Sequence, residues 1–425
     1  MIRICTLVLA LCAPVLPVSA DVLVVDPAGG AGIYTQIQAA VDAAQEGDVV
    51  LVRGGVYSSF AVETKSLSVI GATNGSVTVQ GGVRVRASLA GGTVLLANLT
   101  ATGIPDTGSA SYGLWCSDNQ AFVRVEHCSF TGASSVGFFS NAYDGWAGAH
   151  VSLSPYVSLV DTRFVGGGGH AGSSPAIGFS GPGLEASSAS VSLYDCTLRG
   201  GAGEDNGLGS PDAGHGGDGC RASGSTLYFS GCVLEGGDGG VGWPQFALGF
   251  ALGGNGGDGI DLGNSLARVQ GSSTTGGTGG IGDPQGWSDG LDGLARRGVA
   301  TQFVDLVQPA VHAALPTPVP EGTNPRLQIH GQPGAHAYLL MESTPAFTLA
   351  TQALGMRLVA NSQPSPMLFL GDIPASGTLI TRIRQSALPA QVLSRTIYTQ
   401  VLLEDASGAR VYGPTGSMLV LDSMF

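Results

Sequence analysis

The chain has 425 residues, with 31 acidic against 18 basic side chains and a net charge of −13. That balance argues against nucleic acid as a partner, and against polyuronates unless a cation bridges the charges. An apolar fraction of 43% is enough for a packed core, and the 69 glycines follow no collagen period.

Arg3, an apolar run from Ile4 to Leu16 and Val18-Ser19-Ala20 before Asp21 form the pattern of a signal peptide over residues 1–20. The run is too short to anchor the mature chain, and no later stretch is long enough to span a membrane. The expectation is a chain that is secreted, periplasmic or held at the cell surface. Beyond residue 20 stand Cys116, Cys128, Cys196, Cys220 and Cys232. An odd count leaves at least one thiol free, and burial as small hydrophobes is the simplest role for all five. Cys116–Cys128 and Cys220–Cys232 share a spacing of 12, which predicts equivalent places in two repeats.

Val22–Val25 reads as a strand. Ile37, Ala40, Val41 and Ala44 then form one helical face, with Thr35 and Gln38 as a capping box and Gly47 as the stop. Val49–Val52 is again a strand. A helix so placed would cover the open edge of stacked sheets.

A phrase then recurs: V-L-L-A-N-L-T-A-T-G from Val94, V-R-V-E-H-C-S-F-T-G from Val123, V-S-L-V-D-T-R-F-V-G-G from Val157 and V-S-L-Y-D-C-T-L-R-G-G from Val191. It returns as L-Y-F-S-G-C-V-L-E-G-G from Leu227 and fades into A-R-V-Q-G-S-S-T-T-G-G from Ala267. Such repeats imply a solenoid, in which each unit buries its apolar face only by stacking. The alternation slips by one residue at Asn98, His127, Asp161, Asp195, Gly231 and Gly271, all types that tolerate positive φ. A bend there would keep both apolar sets inside. The next column, Leu99, Cys128, Thr162, Cys196, Cys232 and Ser272, suits an interior ladder. Its spacing grows through 29, 34, 34, 36 and 40 residues. The growth falls in glycine-rich insertions that read as loops on one side of the coils, where solenoids often bind.

The stretch Ile33-Tyr-Thr-Gln-Ile-Gln-Ala-Ala-Val-Asp-Ala-Ala-Gln-Glu-Gly-Asp-Val-Val-Leu-Val-Arg-Gly-Gly-Val-Tyr resembles the opening of right-handed parallel β-helix proteins of the pectin lyase-like superfamily. The resemblance implies an all-β chain: a right-handed parallel β-helix with an N-terminal cap helix over residues 21–307. That superfamily includes lyases, hydrolases, esterases, epimerases, adhesins and non-catalytic surface proteins, so the likeness fixes no activity. Residues 308–325 are proline-rich and read as a linker. Short strand-like runs from Leu327 to Leu421 predict a C-terminal β-sandwich over residues 326–425.

Gly253-Gly-Asn-Gly-Gly-Asp-Gly-Ile-Asp fits a calcium nonapeptide, and Ala213-Gly-His-Gly-Gly-Asp-Gly nearly does, making Asp218 and Asp258 the candidate calcium ligands. These copies lie 40 residues apart, so a tight return to a strand explains the same phrase more simply. Gly214-His215-Gly216 after Glu204-Asp205 resembles a polygalacturonase site, but it lacks the family's companion phrases. The candidate ligand-binding residues are Trp243, Trp287, Trp146 and Phe246, since aromatic faces beside Asp, Asn and Gly suit sugars. Trp115, Trp243, Trp287 and Trp146 equally suit pinning glycine loops to the solenoid wall. Two functions stay open: a non-catalytic surface or matrix protein that binds polysaccharide, a cell-surface glycan or neighbouring molecules, and a polysaccharide lyase or glycoside hydrolase working in a groove along the helix.

Overall fold

The computed structural model describes residues 20–105, 111–135, 144–169, 178–205, 212–243, 251–282, 288–349, 354–360, 367–385 and 387–425. Each repeated phrase folds as two short strands joined by a bend. In the copy at Val157, strand Val157–Val160 turns Val157 and Leu159 into the core, and strand Arg163–Val165 turns Phe164 inward. The bend is left-handed in every copy, with φ of 57° at Asn98, 53° at His127, 44° at Asp161, 55° at Asp195, 67° at Gly231 and 52° at Gly271. A second left-handed column, Asp118, Leu153, Ser188, Gly224 and Gly263, makes the next corner. Leu153 and Ser188 give no sequence signal of it.

The first strands of the phrases stack in parallel, in chain order, into a ten-stranded sheet from Val22–Val25 to Phe303–Leu306. The second sheet has two arms. One stacks Leu99–Thr102, Ser129–Thr131, Arg163–Val165, Thr197–Arg199, Val233–Glu235 and Ser273–Thr275. The other stacks Leu114–Ser117, Ala149–Ser152, Leu184–Ser187, Cys220–Ser223, Ile260–Asp261 and Arg296–Arg297. The arms are one strand in the early coils, Val77–Arg86, which kinks at Gly81 and Gly82. In every later coil an insertion separates them.

One apolar core runs between the sheets. Leu99, Cys128, Thr162, Cys196 and Cys232 line up in it, and Leu99 N–H reaches Cys128 Sγ at 3.4 Å as Cys232 N–H reaches Ser272 Oγ at 3.0 Å. All five cysteines are reduced and buried. Cys116 and Cys220 are not equivalent, however. Cys116 stacks on Val151, whereas Cys220 stacks on Leu184 and Ile260, because the corner after Cys116 is two residues longer.

The helix, Ile37–Ala43, closes the first coil with Ile37, Ala40 and Val41 buried. The expected capping box does not form. Gln36 is the N-cap without a capping side-chain bond, its Oε1 accepting from Ser58 N–H at 3.3 Å, and Gln38 accepts from Ala61 N–H at 2.7 Å, tying the helix to strand Gly55–Glu63. Lys65, the chain's one lysine, donates to the carbonyls of Val41, Asp42 and Ala44, each at 2.9 Å, and so satisfies the helix end. At the far end the fading phrase is a closure. The inward positions held by Ile260 and Val269 pass to Arg296 and Asp305, which bond across the core at 2.9 Å. A polar last turn keeps a stack soluble.

Most C-terminal strands fall where the alternation places them, among them Met356–Val359 and Thr378–Arg382, although Pro345–Leu349 gave no such signal; they form sheets of five, three and two strands around a separate core. The proline-rich segment belongs to this unit: it supplies His312–Ala314 and Val319–Pro320 and buries Val311, Leu315 and Val319. The unit lies against the outer face of the ten-stranded sheet. Leu419 and Leu421 pack on Leu51, Ile70 and Leu95, and Met356 and Leu358 on Tyr194 and Tyr228. Under it Arg124 and Glu126 are wholly buried, paired at 2.7 Å, with Glu126 accepting from Ser417 Oγ at 2.8 Å.

Candidate functional site: a charged and aromatic row beside a glycine lattice

The insertions between the arms are not irregular loops. Glycine occupies two of every three places in Gly236-Gly-Asp-Gly-Gly-Val-Gly and Gly276-Gly-Thr-Gly-Gly-Ile-Gly. None of these glycines has a left-handed φ. Their N–H groups bond only to other segments: Gly181 to Gly167 O, Gly201 to Gly181 O, Gly217 to Gly201 O, and so through Gly237, Gly257 and Gly277 to Gly293, at 2.8–2.9 Å. This is a lattice of extended, three-residue-per-turn chains of the polyproline II kind, which have no internal hydrogen bonds and must find partners outside. Each insertion leaves the coil as one such chain and returns as another, and the layers stack into a wing.

The lattice explains both the glycine and the acid. A Cβ on Gly237 would lie 1.9 Å from Gly201 O, and one on Gly257 equally 1.9 Å from Gly217 O. Every third residue points outward, and at Val241, Asn255, Thr278 and Leu291 its N–H meets a side chain in place of a carbonyl, whereas His215 N–H reaches Gly178 O at 3.2 Å. In those four the side chain one layer back serves: Asp205 accepts from Val241 at 2.8 Å, Asp238 from Thr278 at 2.8 Å, Asn255 from Leu291 at 2.8 Å and His215 Nδ1 from Asn255 at 2.8 Å. Burial pushes the His215 pKa down, which favours the neutral ring that this acceptor role requires. Gly214-His215-Gly216 is thus a stretch of this lattice.

Asp218 and Asp258 belong to the same pattern. Asp218 accepts from Asp258 N–H at 2.9 Å and from Arg221 Nε at 2.8 Å. Asp258 accepts from Leu294 N–H at 2.7 Å and pairs with Arg297. Burial raises the Asp218 pKa, against the pull of Arg221. The described residues hold no group of three or more His, Cys, Asp or Glu side chains at metal-binding distance.

At the foot of the wing, on the outer face of the second arm, register aligns Arg84, Trp115, His150, Glu185, Arg221, Asp261 and Arg297 in one row. Rows of this kind step by about 4.8 Å per strand. Arg84 lies over the Trp115 ring at 5.1 Å, and Tyr112 meets Trp146 edge-on at 4.9 Å and His150 at 5.0 Å. His150 Nδ1 and Glu185 Oε2 are 2.8 Å apart, and that bond holds the Glu185 carboxyl below its ordinary range. Burial, with the charge of Glu185, pushes the Tyr112 phenol up to about 12. Trp115 Nε1 is buried and meets no acceptor among the described residues.

The sequence candidates scatter over this frame. Trp146 joins the row's aromatic end, and its carbonyl also accepts from Gly167. Trp243 stands 59% exposed at the end of the outgoing chain Gly236–Gly242, away from the row. Trp287 and Phe246 lie outside the described residues. The row itself was not foreseen, because its members come one per repeat from positions of unlike chemistry. The register of the repeats was the signal that could have found them.

No family model matches the chain, and no curated protein does. Among solved structures it is similar to a superoxide reductase (neelaredoxin) from Ignicoccus hospitalis, over 26% of this chain and 80% of that one. The identity is 9% and the TM-score 0.16, too low a likeness to carry an argument. Among the described residues no helix is long and apolar enough to cross a membrane.

Proposed function

We propose that this chain is an exported, right-handed parallel β-helix protein of the pectin lyase-like kind, carrying a C-terminal β-sandwich, that binds an extended glycan without cleaving it. The row from Arg84 to Arg297 carries this reading: it runs along the stack, joins ring faces to hydrogen-bonding charges, and has the wing for a wall. The opposite sheet has its outer face under the C-terminal unit. Sugars are held by such flat apolar faces flanked by polar groups. Glu185, Asp218 and Asp258 are each engaged with a cationic or imidazole partner, which supports binding over cleavage.

A lyase or hydrolase acting in the same groove has one observation in its favour, the buried Asp218 beside Arg221 with a raised pKa. Calcium at Asp218 and Asp258 would have to displace the arginines. A glycan array followed by calorimetry tests the main reading. Trp115→Ala with Trp146→Ala should weaken the best hit by about 0.5–1.5 kcal/mol per ring beyond area. Unchanged affinity sinks the row as the binding face, and new reducing ends or unsaturated products establish the enzyme.

A further inference from the structure

The wing has a last layer, and the way it ends is specific. In the preceding layer, Gly239 N–H donates to Thr278 O at 2.8 Å and Gly242 N–H to Ile281 O at 2.9 Å, both acceptors being in the layer that follows. The equivalent donors of the last layer are Gly279 and Gly282. They bond instead to Asp292 Oδ1 and Asp289 Oδ1, each at 2.8 Å, from the returning chain of their own layer. One layer earlier the places of Asp289 and Asp292 are held by Gly253 and Gly256. A Cβ on Gly253 would stand 2.0 Å from Gly280 O, and one on Gly256 2.2 Å from Gly277 O. A side chain at these two places is therefore possible only where no further layer follows.

We infer that Asp289 and Asp292 are terminators of the glycine lattice, which keep its last layer from stacking onto the last layer of a second copy of this chain. The occupant they exclude is defined by the lattice. A partner must bring glycine at the same three-residue period, since any other side chain would drive into carbonyls. The chain's own last layer has that period. Two copies brought face to face set four carboxylates against one another, all exposed at this surface. The wing thus closes as the coils do, where Arg296 and Asp305 lie over the core. Sheet proteins commonly guard open edges with charge, and the same logic serves a backbone lattice.

The test compares the full chain with Asp289→Gly/Asp292→Gly and with Asp289→Asn/Asp292→Asn by sedimentation over a range of concentrations. The glycine variant should shift toward twice the wild-type mass as concentration rises. The asparagine variant keeps an oxygen acceptor and should sediment as wild type. A folded glycine variant that sediments as wild type overturns the inference, as does an asparagine variant that associates equally. Amide exchange in the wild type is a second reading that needs no variant: Gly279 and Gly282 should be protected. Exchange as fast as in an unstructured peptide shows that the caps do not hold, even if the glycine variant cannot fold.

Discussion

The coils and the wing satisfy the same backbone in opposite ways. In the coils, strands pair through their ladders, and side chains such as Leu193, Phe229 and Leu234 fill the space between sheets. In the wing the backbone chains themselves are the packing units, and glycine is needed because any side chain would occupy a neighbour's carbonyl. One region rests on apolar burial and the other on close hydrogen bonding with almost nothing to bury. Composition follows: β-branched and apolar residues in the coils, glycine with aspartate in the wing.

Substitutions of opposite kind should separate the two regions. The largest loss is expected from Leu193→Ala, about 2–5 kcal/mol, because a cavity opens in a closely packed core. Calorimetric or denaturant unfolding reads it, and a loss below 1 kcal/mol would mean the core is looser than its burial implies. Adding a methyl in the wing comes next. Gly237→Ala should cost about 1–3 kcal/mol through overpacking, whereas Gly168→Ala, whose Cβ would meet its nearest atom at 3.3 Å, should cost markedly less. Equal effects at the two glycines would refute the lattice.

The smallest effect concerns pH at the bend column. His127 Nδ1 and Asp161 Oδ2 are 2.8 Å apart on the outer side of adjacent coils. Burial opposes charge on His127, but the bond from Asp161 and the charges of Glu126 and Asp161 together raise its pKa. The same bond lowers that of Asp161. The pair's contribution, about 0.2–1 kcal/mol for a partly exposed pair, should be lost as pH falls through the lowered Asp161 value. It should also be lost as pH rises through the raised His127 value. Melting temperature against pH, wild type minus Asp161→Asn, should therefore peak between the two, and a flat difference would show the pair to be inert.

Much of the coil architecture was legible because one physical rule recurs at each copy. Val157, Leu159 and Phe164 alternate, and Asp161 breaks the alternation where only a left-handed bend keeps both sets inside. The corner at Leu153 and Ser188 was invisible, because tertiary pairing imposes that conformation on residues that do not favour it. The capping box at Thr35 and Gln38 was a sound local pattern that lost to a contact made 23 residues later, with Ala61. The insertions read as loops because the repeat spacing grows while the strand phrase does not lengthen, although a period of three is visible in Gly236–Gly242.

The sequence alone determined the repeat, the inward and outward faces of its strands, the first column of bends and the positions of most C-terminal strands, since each depends on neighbours a few residues away. Only the tertiary structure decided what those faces meet. It laid the C-terminal unit over Arg124 and Glu126, left the row from Arg84 to Arg297 uncovered, and turned Asp218, Asp238 and Asp258 from candidate ligands or surface charges into acceptors for backbone one layer on. These contacts join residues 36 to 291 positions apart. No local pattern encodes them, because they arise only once the coils are stacked in register.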